Sequence, residues 1–196
     1  MKKIITFNIK KNQKSTVPFI WINSLSKNSE VLIKITGGNS SFILPCLIVL
    51  SGNKTFNLKV VAESKYPSSK TELIFRILLF GKVNFILKCR FGLKKGAENS
   101  FFKFGAKALM FQDSSVEISP YLESEERNSA AEHKVWTGKI TPEEMFYLQS
   151  RGIGETEIFR LFISGFVKEI FPCLNFSEKE KELLSQKVLK IISKND

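Results

Sequence analysis

Between residues 4 and 119 the sequence is a succession of short apolar segments, each followed by turn-forming residues. The segments are roughly 4 to 8 residues long, as strands are, and they are rich in Val, Ile and Phe, which favour strands over helices. Gly, Asn, Pro and Ser separate them. We predict strands at residues 4–9, 18–22, 31–36, 41–50, 55–62, 72–80, 82–93, 100–110 and 115–118.

The apolar pattern leaves the arrangement of these strands open. Only Gly52-Asn53 resembles a two-residue hairpin turn, so we expect few hairpins. Alternation is loose, with Lys on one side and Phe or Ile on the other, which gives each strand one wet face. Regular spacing of this kind fits either a sandwich of two sheets or a coil of parallel strands in which each turn buries its apolar face against the next.

The pattern becomes helical near residue 140. Residues 141–144, Thr-Pro-Glu-Glu, form a capped helix start, and Gly152 ends that helix. A second helix is predicted over residues 155–171, where Pro172 stops it. A third begins at Ser177, which has a Glu three residues later. The chain therefore consists of two predicted parts, one of strands and one of helices.

We assign residues 1–138 to a strand-rich domain and residues 139–196 to a C-terminal helical domain. Charge is divided in a similar way, because residues 1–112 carry 19 Lys/Arg and 4 Asp/Glu, whereas residues 113–196 carry 11 and 15. A basic half can indicate binding to nucleic acid or anionic lipid. Its lysines recur between apolar residues, however, and solvated strand faces explain that spacing better.

Few residues are arranged for catalysis. No glycine-rich phosphate loop precedes a helix, no GxSxG motif occurs, and His133 is the single histidine. Cys46, Cys89 and Cys173 form no CxxC pair or Cys/His cluster. We expect a cytoplasmic protein that is not an enzyme, has no catalytic residues, binds no cofactor stably by itself and does not enter a membrane.

Four stretches in the second half of the sequence form an ordered series. They are Glu132-His133, Gly138-Lys139-Ile140, FYLQSRGI at 146–153 and GFVKEI at 165–170. The series resembles the C-terminal signature of the SufB/SufD family of iron–sulfur cluster assembly scaffold proteins. In that family a histidine closes a β-helix, a helix reads FYL-x-SRGI, and the next helix contains GF followed by an acidic residue. The resemblance is specific over residues 116–170 and leaves residues 1–60 unmatched.

The resemblance implies a mainly β fold, a right-handed parallel β-helix followed by a small C-terminal α-helical domain, and so favours the coil over the sandwich. It implies pairing with a SufB-like subunit and docking of a SufC-type ABC ATPase on the helices. It also implies a nascent iron–sulfur cluster that is held transiently and shared with the partner, with His133 and Glu132 as candidate metal ligands. The candidate docking residues are Phe146, Tyr147, Ser150, Arg151, Gly152, Phe159, Gly165 and Phe166.

Two departures from the family pattern favour the SufD-like type. SufB-type members have a cysteine late in the β-helix and a glutamate directly after the histidine. Here Lys134 follows His133, and no cysteine lies between Cys89 and His133. We therefore interpret the chain as a short SufD-like scaffold and adaptor. The alternatives are a homodimer that serves alone as a minimal scaffold, and a nucleic-acid-binding β protein that uses the basic half with phenylalanines as stacking platforms.

Overall fold

A computed structural model describes residues 2–192. Met1 and residues 193–196, which the two predicted domains include, lie outside the described residues. The strands are β1 (Lys2–Ile9), β2 (Lys14–Thr16), β3 (Phe19–Ile22), β4 (Asn28–Ile35), β5 (Ser41–Leu50), β6 (Thr55–Ser64), β7 (Lys70–Leu79), β8 (Asn84–Leu93), β9 (Phe101–Met110), β10 (Ser115–Ser124) and β11 (Ala130–Gly138). The helices are α1 (Pro142–Gln149), α2 (Glu155–Lys168) and α3 (Glu178–Ile192), with a short 3-10 turn at Phe171–Cys173.

The strands form two parallel sheets. Sheet A has the order β1-β4-β6-β8-β10, and sheet B has the order β11-β9-β7-β5-β2, with β3 also paired to β5. Consecutive strands from β4 onward alternate between the sheets, so the chain coils through about five turns. The predicted parallel β-helix is thus confirmed, and the sandwich alternative is wrong.

The interior of the β-helix follows from alternation along each strand. In β6, Phe56, Leu58, Val60 and Ala62 are buried, whereas the residues between them face outward. Neighbouring strands lie roughly 4.8 Å apart, so similar residues follow one another from turn to turn, as Phe56 and Phe85 do in register. The apolar faces of both sheets therefore meet in one continuous core.

The corners of the β-helix repeat with the same period as the strands. One turn of the coil takes about 30 residues, since Ser41 pairs with Lys70 and Lys70 with Phe101. Each corner between β1 and β10 contains at least one residue with a positive φ, which Gly adopts freely and Asn tolerates. These residues are Asn12, Asn39, Ser68, Gly96 and Asn99 on one side of the coil and Asn23, Gly52, Gly81 and Gln112 on the other.

The helices cover the outer face of sheet B. There a second apolar cluster joins the outward side chains of β5, β7 and β9 to α2 and α3. As a result every residue from Leu44 to Leu50 in β5 is buried, on both faces of the sheet. The β-helix contributes Leu47, Val49, Leu78 and Leu109 from strands, and Phe80 and Phe111 from the positions directly after β7 and β9. The helical members include Ile163, Phe166, Val167, Leu184 and Val188.

The structure differs from the predicted elements mainly at the last turn of the coil. β10 continues to Ser124, and residues 130–138, which the sequence pattern did not predict as a strand, form β11. Most residues of β11 are exposed, so the buried-face signal that marks the other strands is missing there. Two smaller differences lie elsewhere in the chain. The short β2 was not predicted, and α2 ends at Lys168 rather than at residue 171. Within residues 2–192 no helix has the length and apolar character needed to cross a bilayer.

Candidate functional site at the last turn of the β-helix

The last turn of the β-helix, formed by β10 and β11, is open. Among the described strands, β10 pairs only with β8 and β11 only with β9. Both strands therefore present a free row of backbone N–H and C=O groups on their outer edge, which is a template for pairing with another chain. The inward-facing side chains of this turn are likewise not covered by a further turn.

His133 lies in the middle of β11 at an inward-facing position. It is in register with Phe104 of β9, which is buried in the core. Because no turn stacks on β11, the His133 side chain is exposed at the open end. Within residues 2–192 the imidazole has no hydrogen-bond or ion-pair partner, so both ring nitrogens are available to a ligand.

Glu132 faces the opposite way from His133, because successive residues of a strand point to opposite faces. Its carboxylate pairs with the Lys103 ammonium group at 3.1 Å, and this hydrogen bond raises the pKa of Lys103. The structure therefore does not bring Glu132 and His133 together on one face. Among the described residues no group of three or more His, Cys, Asp or Glu side chains could hold a metal ion.

Large apolar side chains surround the open end. Leu122 of β10 and Val135 of β11 are each 41% exposed, and both occupy inward-facing positions, in register with the buried Phe91 and Ala106. Tyr121, on the outer side, is 60% exposed. Large apolar side chains left exposed at an uncovered end are typical of interaction surfaces. The open end thus combines free strand edges, uncovered apolar side chains and one imidazole.

The two cysteines of the β-helix lie away from solvent. Cys46 and Cys89 are both buried in the core, and burial raises the pKa of each thiol, with a smaller contribution at Cys46 from the neighbouring Cys89. A thiol with a raised pKa is a poor nucleophile and a poor metal ligand. Cys173, half-buried in the 3-10 turn after α2, is the remaining thiol.

Most of the candidate docking residues are exposed on and after α1. Thr141 forms the predicted capping box with Glu144, yet α1 buries none of its residues. Phe146 is 73% exposed and Tyr147 is 53% exposed. The Arg151 guanidinium lies 4.3 Å from the centre of the Tyr147 ring, a cation–π contact. Ser150 and Gly152 follow the end of α1. The Ser150 hydroxyl donates to the Tyr147 carbonyl, and Gly152 has a φ of 82°.

The candidates on α2 have a different environment. Phe159 packs edge-to-face on Phe111 of the β-helix, and Phe166 is buried against Trp136 of β11. Gly165 is exposed. The structure thus separates an exposed group on and after α1 from Phe159 and Phe166, which attach α2 to sheet B.

Charged residues also attach α2 to sheet B, and the sequence pattern did not reveal them. Glu169, the acidic residue of GFVKEI, accepts from Arg76 at 3.2 Å and from Lys107 at 2.8 Å, both at the same Oε2 atom. Arg76, Lys107 and Trp136 occupy one row across β7, β9 and β11. A cavity of about 300 Å³ lies beside this row, between β11 and the helices.

Trp136 connects the open strand to the helices. Its backbone belongs to β11, and its ring centre lies 6.5 Å from that of Phe166 in α2. A Cβ atom at Gly138 would lie 2.6 Å from Cζ2 of the Trp136 ring, so only glycine leaves room for this ring position. Extending the repeat of about 30 residues one turn further would have identified β11, and with it the register of Trp136 and His133.

Comparison with known proteins agrees with this architecture. Residues 4–166 match the family described as SUF system FeS cluster assembly, SufBD core domain. The match includes residues 1–60 in large part, which the motif resemblance had left unassigned.

Individual relatives match a shorter stretch. The iron–sulfur cluster assembly SufBD family protein ycf24 of Galdieria sulphuraria is 37% identical over 82 residues, 41% of this chain and 37% of that protein. The protein of the same name from Pyropia yezoensis is 37% identical over 82 residues, 41% of this chain and 17% of that protein. The iron–sulfur cluster assembly protein SufB of Bacillus subtilis is 32% identical over 88 residues, 45% of this chain and 19% of that protein.

These matches cover well under two thirds of the relatives' own length. The family match, in contrast, covers most of the present chain, from the first strand into α2. It therefore includes both the β-helix and the start of the helical segment described above. The chain belongs to the SufBD family of iron–sulfur cluster assembly proteins.

Proposed function

We propose that this chain is a SufD-like scaffold and adaptor, without enzymatic activity of its own, in an iron–sulfur cluster assembly complex. It pairs with a SufB-like subunit across the open end of the β-helix, and it docks a SufC-type ATPase through α1. The nascent cluster is the cargo of the complex and is shared transiently with the partner. The observation that carries the proposal is the exposed His133 imidazole at an otherwise apolar open end.

The free edges of β10 and β11 support pairing with another β-helix. An added strand would satisfy the unpaired backbone groups, and the apolar side chains of Leu122 and Val135 would lose their exposure to water. His133 would then lie at the boundary between the two subunits. An imidazole nitrogen is a suitable iron ligand.

The partner has to supply the remaining ligands. Cys46 and Cys89 are buried in the core, where their raised pKa disfavours the thiolate that binds iron. Glu132 faces away from His133 and pairs with Lys103. One imidazole cannot hold a cluster, so we assign the thiolates of the shared site to a SufB-like subunit. The three free thiols are consistent with a reducing cytoplasm.

His133→Ala tests the cluster site. In the complex with a SufB-like subunit and the ATPase, we expect this variant to keep its thermal stability within about 1 kcal/mol and to lower the yield of anaerobic cluster reconstitution. Lys134→Ala, one residue along β11 and on the opposite face, is the matched control and should leave the yield unchanged. Wild-type yield in His133→Ala would overturn the role of the imidazole.

Phe146 and Tyr147 test the docking of the ATPase. Both rings are exposed on a helix that buries no residue, so removing them does not remove core. We expect the double alanine variant to bind the ATPase more than about 30-fold more weakly, the effect of losing one interface hot spot. Leu183→Ala on α3, which removes a side chain of 50% exposure, is the control. Equal binding by all three proteins would contradict the assignment.

A homodimer that serves alone as a minimal scaffold is the second candidate. The same free strand edges favour it, because two copies could pair through β10 and β11 as well as two different subunits can. Light scattering of the isolated chain distinguishes the two. A stable dimer that retains a cluster after anaerobic reconstitution supports the homodimer, and a monomer that dimerises only with a SufB-like subunit supports the adaptor.

A further inference from the structure

Three lysines occupy the same corner on three successive turns of the β-helix. Lys27 precedes β4, Lys54 precedes β6 and Lys82 precedes β8. Backbone hydrogen bonds hold the turns in line, as the Asn57 N–H donates to the Lys27 carbonyl at 2.7 Å and the Asn84 N–H donates to the Lys54 carbonyl at 3.1 Å. Since turns stack roughly 4.8 Å apart, three neighbouring turns bring their lysines to one site at this corner.

These lysines surround a concave polar site of about 430 Å³. Its other lining residues are uncharged hydrogen-bonding groups, namely Asn28, Asn53, Thr55 and Asn57. No carboxylate lines it among the described residues. Asn28 accepts from the Asn57 amide at 3.1 Å through its oxygen, which leaves the Asn28 amide protons available to a ligand.

The ammonium groups of this corner are poorly neutralised by the protein itself. In the part of the chain that the structure describes, Lys27 and Lys54 have no ion-pair partner. Lys82 lies 3.9 Å from Asp113, and both side chains are more than two-thirds exposed, so this pair is weak. Like charges held together without counter-charges favour the binding of an anion.

A second concave site continues the first along the outer face of sheet A. It has a volume of about 350 Å³, shares Asn28 and Asn57 with the first, and adds the ammonium groups of Lys59 and Lys88. Lys59 pairs with Glu30 at 3.3 Å. The two sites together form a groove on the face of the β-helix that the helices leave bare.

We propose that the corner formed by Lys27, Lys54 and Lys82 binds a ligand with several adjacent phosphate groups. Phosphate oxygens are strong acceptors that can take hydrogen bonds from ammonium, amide and hydroxyl donors at once. Several adjacent phosphates match a site to which three neighbouring turns each contribute one cation. Two sources share this chemistry, a free oligophosphate such as the tail of a nucleotide and the backbone of a single-stranded nucleic acid.

Titration calorimetry of the chain with tripolyphosphate tests the site. We expect Lys54→Gln to weaken binding about two- to fivefold, as for one exposed ion pair, and Lys27→Gln/Lys54→Gln/Lys82→Gln to weaken it roughly 10- to 100-fold. The control triple variant replaces exposed lysines at the other corner, Lys10, Lys65 and Lys95, and changes the net charge equally. It should bind tripolyphosphate as the wild-type chain does. Circular dichroism checks that both triple variants fold.

Two further titrations identify the source. A mixed-sequence single-stranded oligonucleotide that binds more tightly than tripolyphosphate, and loses affinity only in the Lys27/Lys54/Lys82 variant, assigns the site to a nucleic-acid backbone. Tighter binding of tripolyphosphate assigns it to a free oligophosphate. The proposal is overturned if poly-glutamate binds as tightly as either, if both triple variants lose affinity equally, or if none of these anions binds the wild-type chain.

Discussion

The outer faces of the two sheets differ although their inner faces are alike. Both sheets send alternate apolar side chains into one core. Outside, sheet B carries the apolar row Val49, Leu78 and Leu109, which α2 and α3 cover. Sheet A carries Asn, Lys and Glu side chains, and none of the three described helices covers them. The outward residues, not the inward ones, therefore decide where the helical segment docks and which face remains basic.

The outer faces of sheets A and B also differ in the binding surfaces that they offer. The covered face of sheet B is linked to the open strand β11 through the contact between Trp136 and Phe166 of α2. The bare face of sheet A carries the lysine corner.

The largest expected loss of stability comes from truncating a leucine on the outer face of sheet B, compared with a leucine on the outer face of sheet A. Leu78 in sheet B is fully buried beneath the helices, and Leu32 in sheet A is half-buried. We expect Leu78→Ala to lower the free energy of unfolding by about 2–5 kcal/mol. Leu32→Ala should cost about 1 kcal/mol or less, because less apolar area returns to water. If urea denaturation shows equal losses of unfolding free energy in the two variants, packing of the helices adds little to the stability of sheet B.

Gly138→Ala should have the next largest effect. Its Cβ atom would collide with the Trp136 ring, which then has to leave its contact with Phe166. We expect a loss of about 1–3 kcal/mol and a red shift of tryptophan emission, since Trp21, the second tryptophan, is 6% exposed and stays in the core. Gly105→Ala is the control, because a Cβ atom there meets no heavy atom within 4 Å. Unchanged emission in Gly138→Ala would contradict the ring position.

Glu169→Gln removes the charge that joins α2 to Arg76 and Lys107. The Arg76 side chain is only 14% exposed, so its guanidinium loses a partner that water does not fully replace. We expect a loss of about 1–2 kcal/mol, as for a hydrogen bond to a charged group, and faster amide exchange in α2. Glu132→Gln, which breaks the more exposed pair with Lys103, serves as the control and should be milder. Similar losses in the two variants would mean that Glu169 is not a specific link.

The sequence predicted most of this fold where a strand or helix has a buried face. β5 has the predicted bounds of 41–50, and the cap at Thr141 is present. β11 was not predicted, because its side chains are exposed at the open end and show no apolar alternation. The choice of coil over sandwich came from the family resemblance, since both arrangements produce the same alternation.

The candidate site was predictable only in part, because its geometry depends on register across the turns. The position of His133 over Phe104 follows from strand pairing between residues that are distant in the sequence. The link between Glu169, Arg76 and Lys107 likewise joins residues from three elements. A charge at the end of a helix gives no sign by itself of which strand it will meet.

The smallest expected effect concerns an exposed ion cluster on sheet A. A hydrogen bond from Arg90, with help from the Lys94 charge, lowers the pKa of Glu123 below its ordinary value of about 4.5. The folded state therefore binds this proton less tightly than the unfolded state, so the stabilisation is present above pH 4.5 and is lost as the pH falls through the lowered pKa.

Urea denaturation measures this contribution. The free energies of unfolding of the wild-type chain and of Glu123→Gln should differ slightly at neutral pH and converge in acid. In an Arg90→Gln background the neutral-pH difference should shrink, because the largest cause of the shift is gone. If, with Arg90 present, the difference in unfolding free energy between the wild-type chain and Glu123→Gln does not change with pH, the Glu123 charge does not contribute to stability.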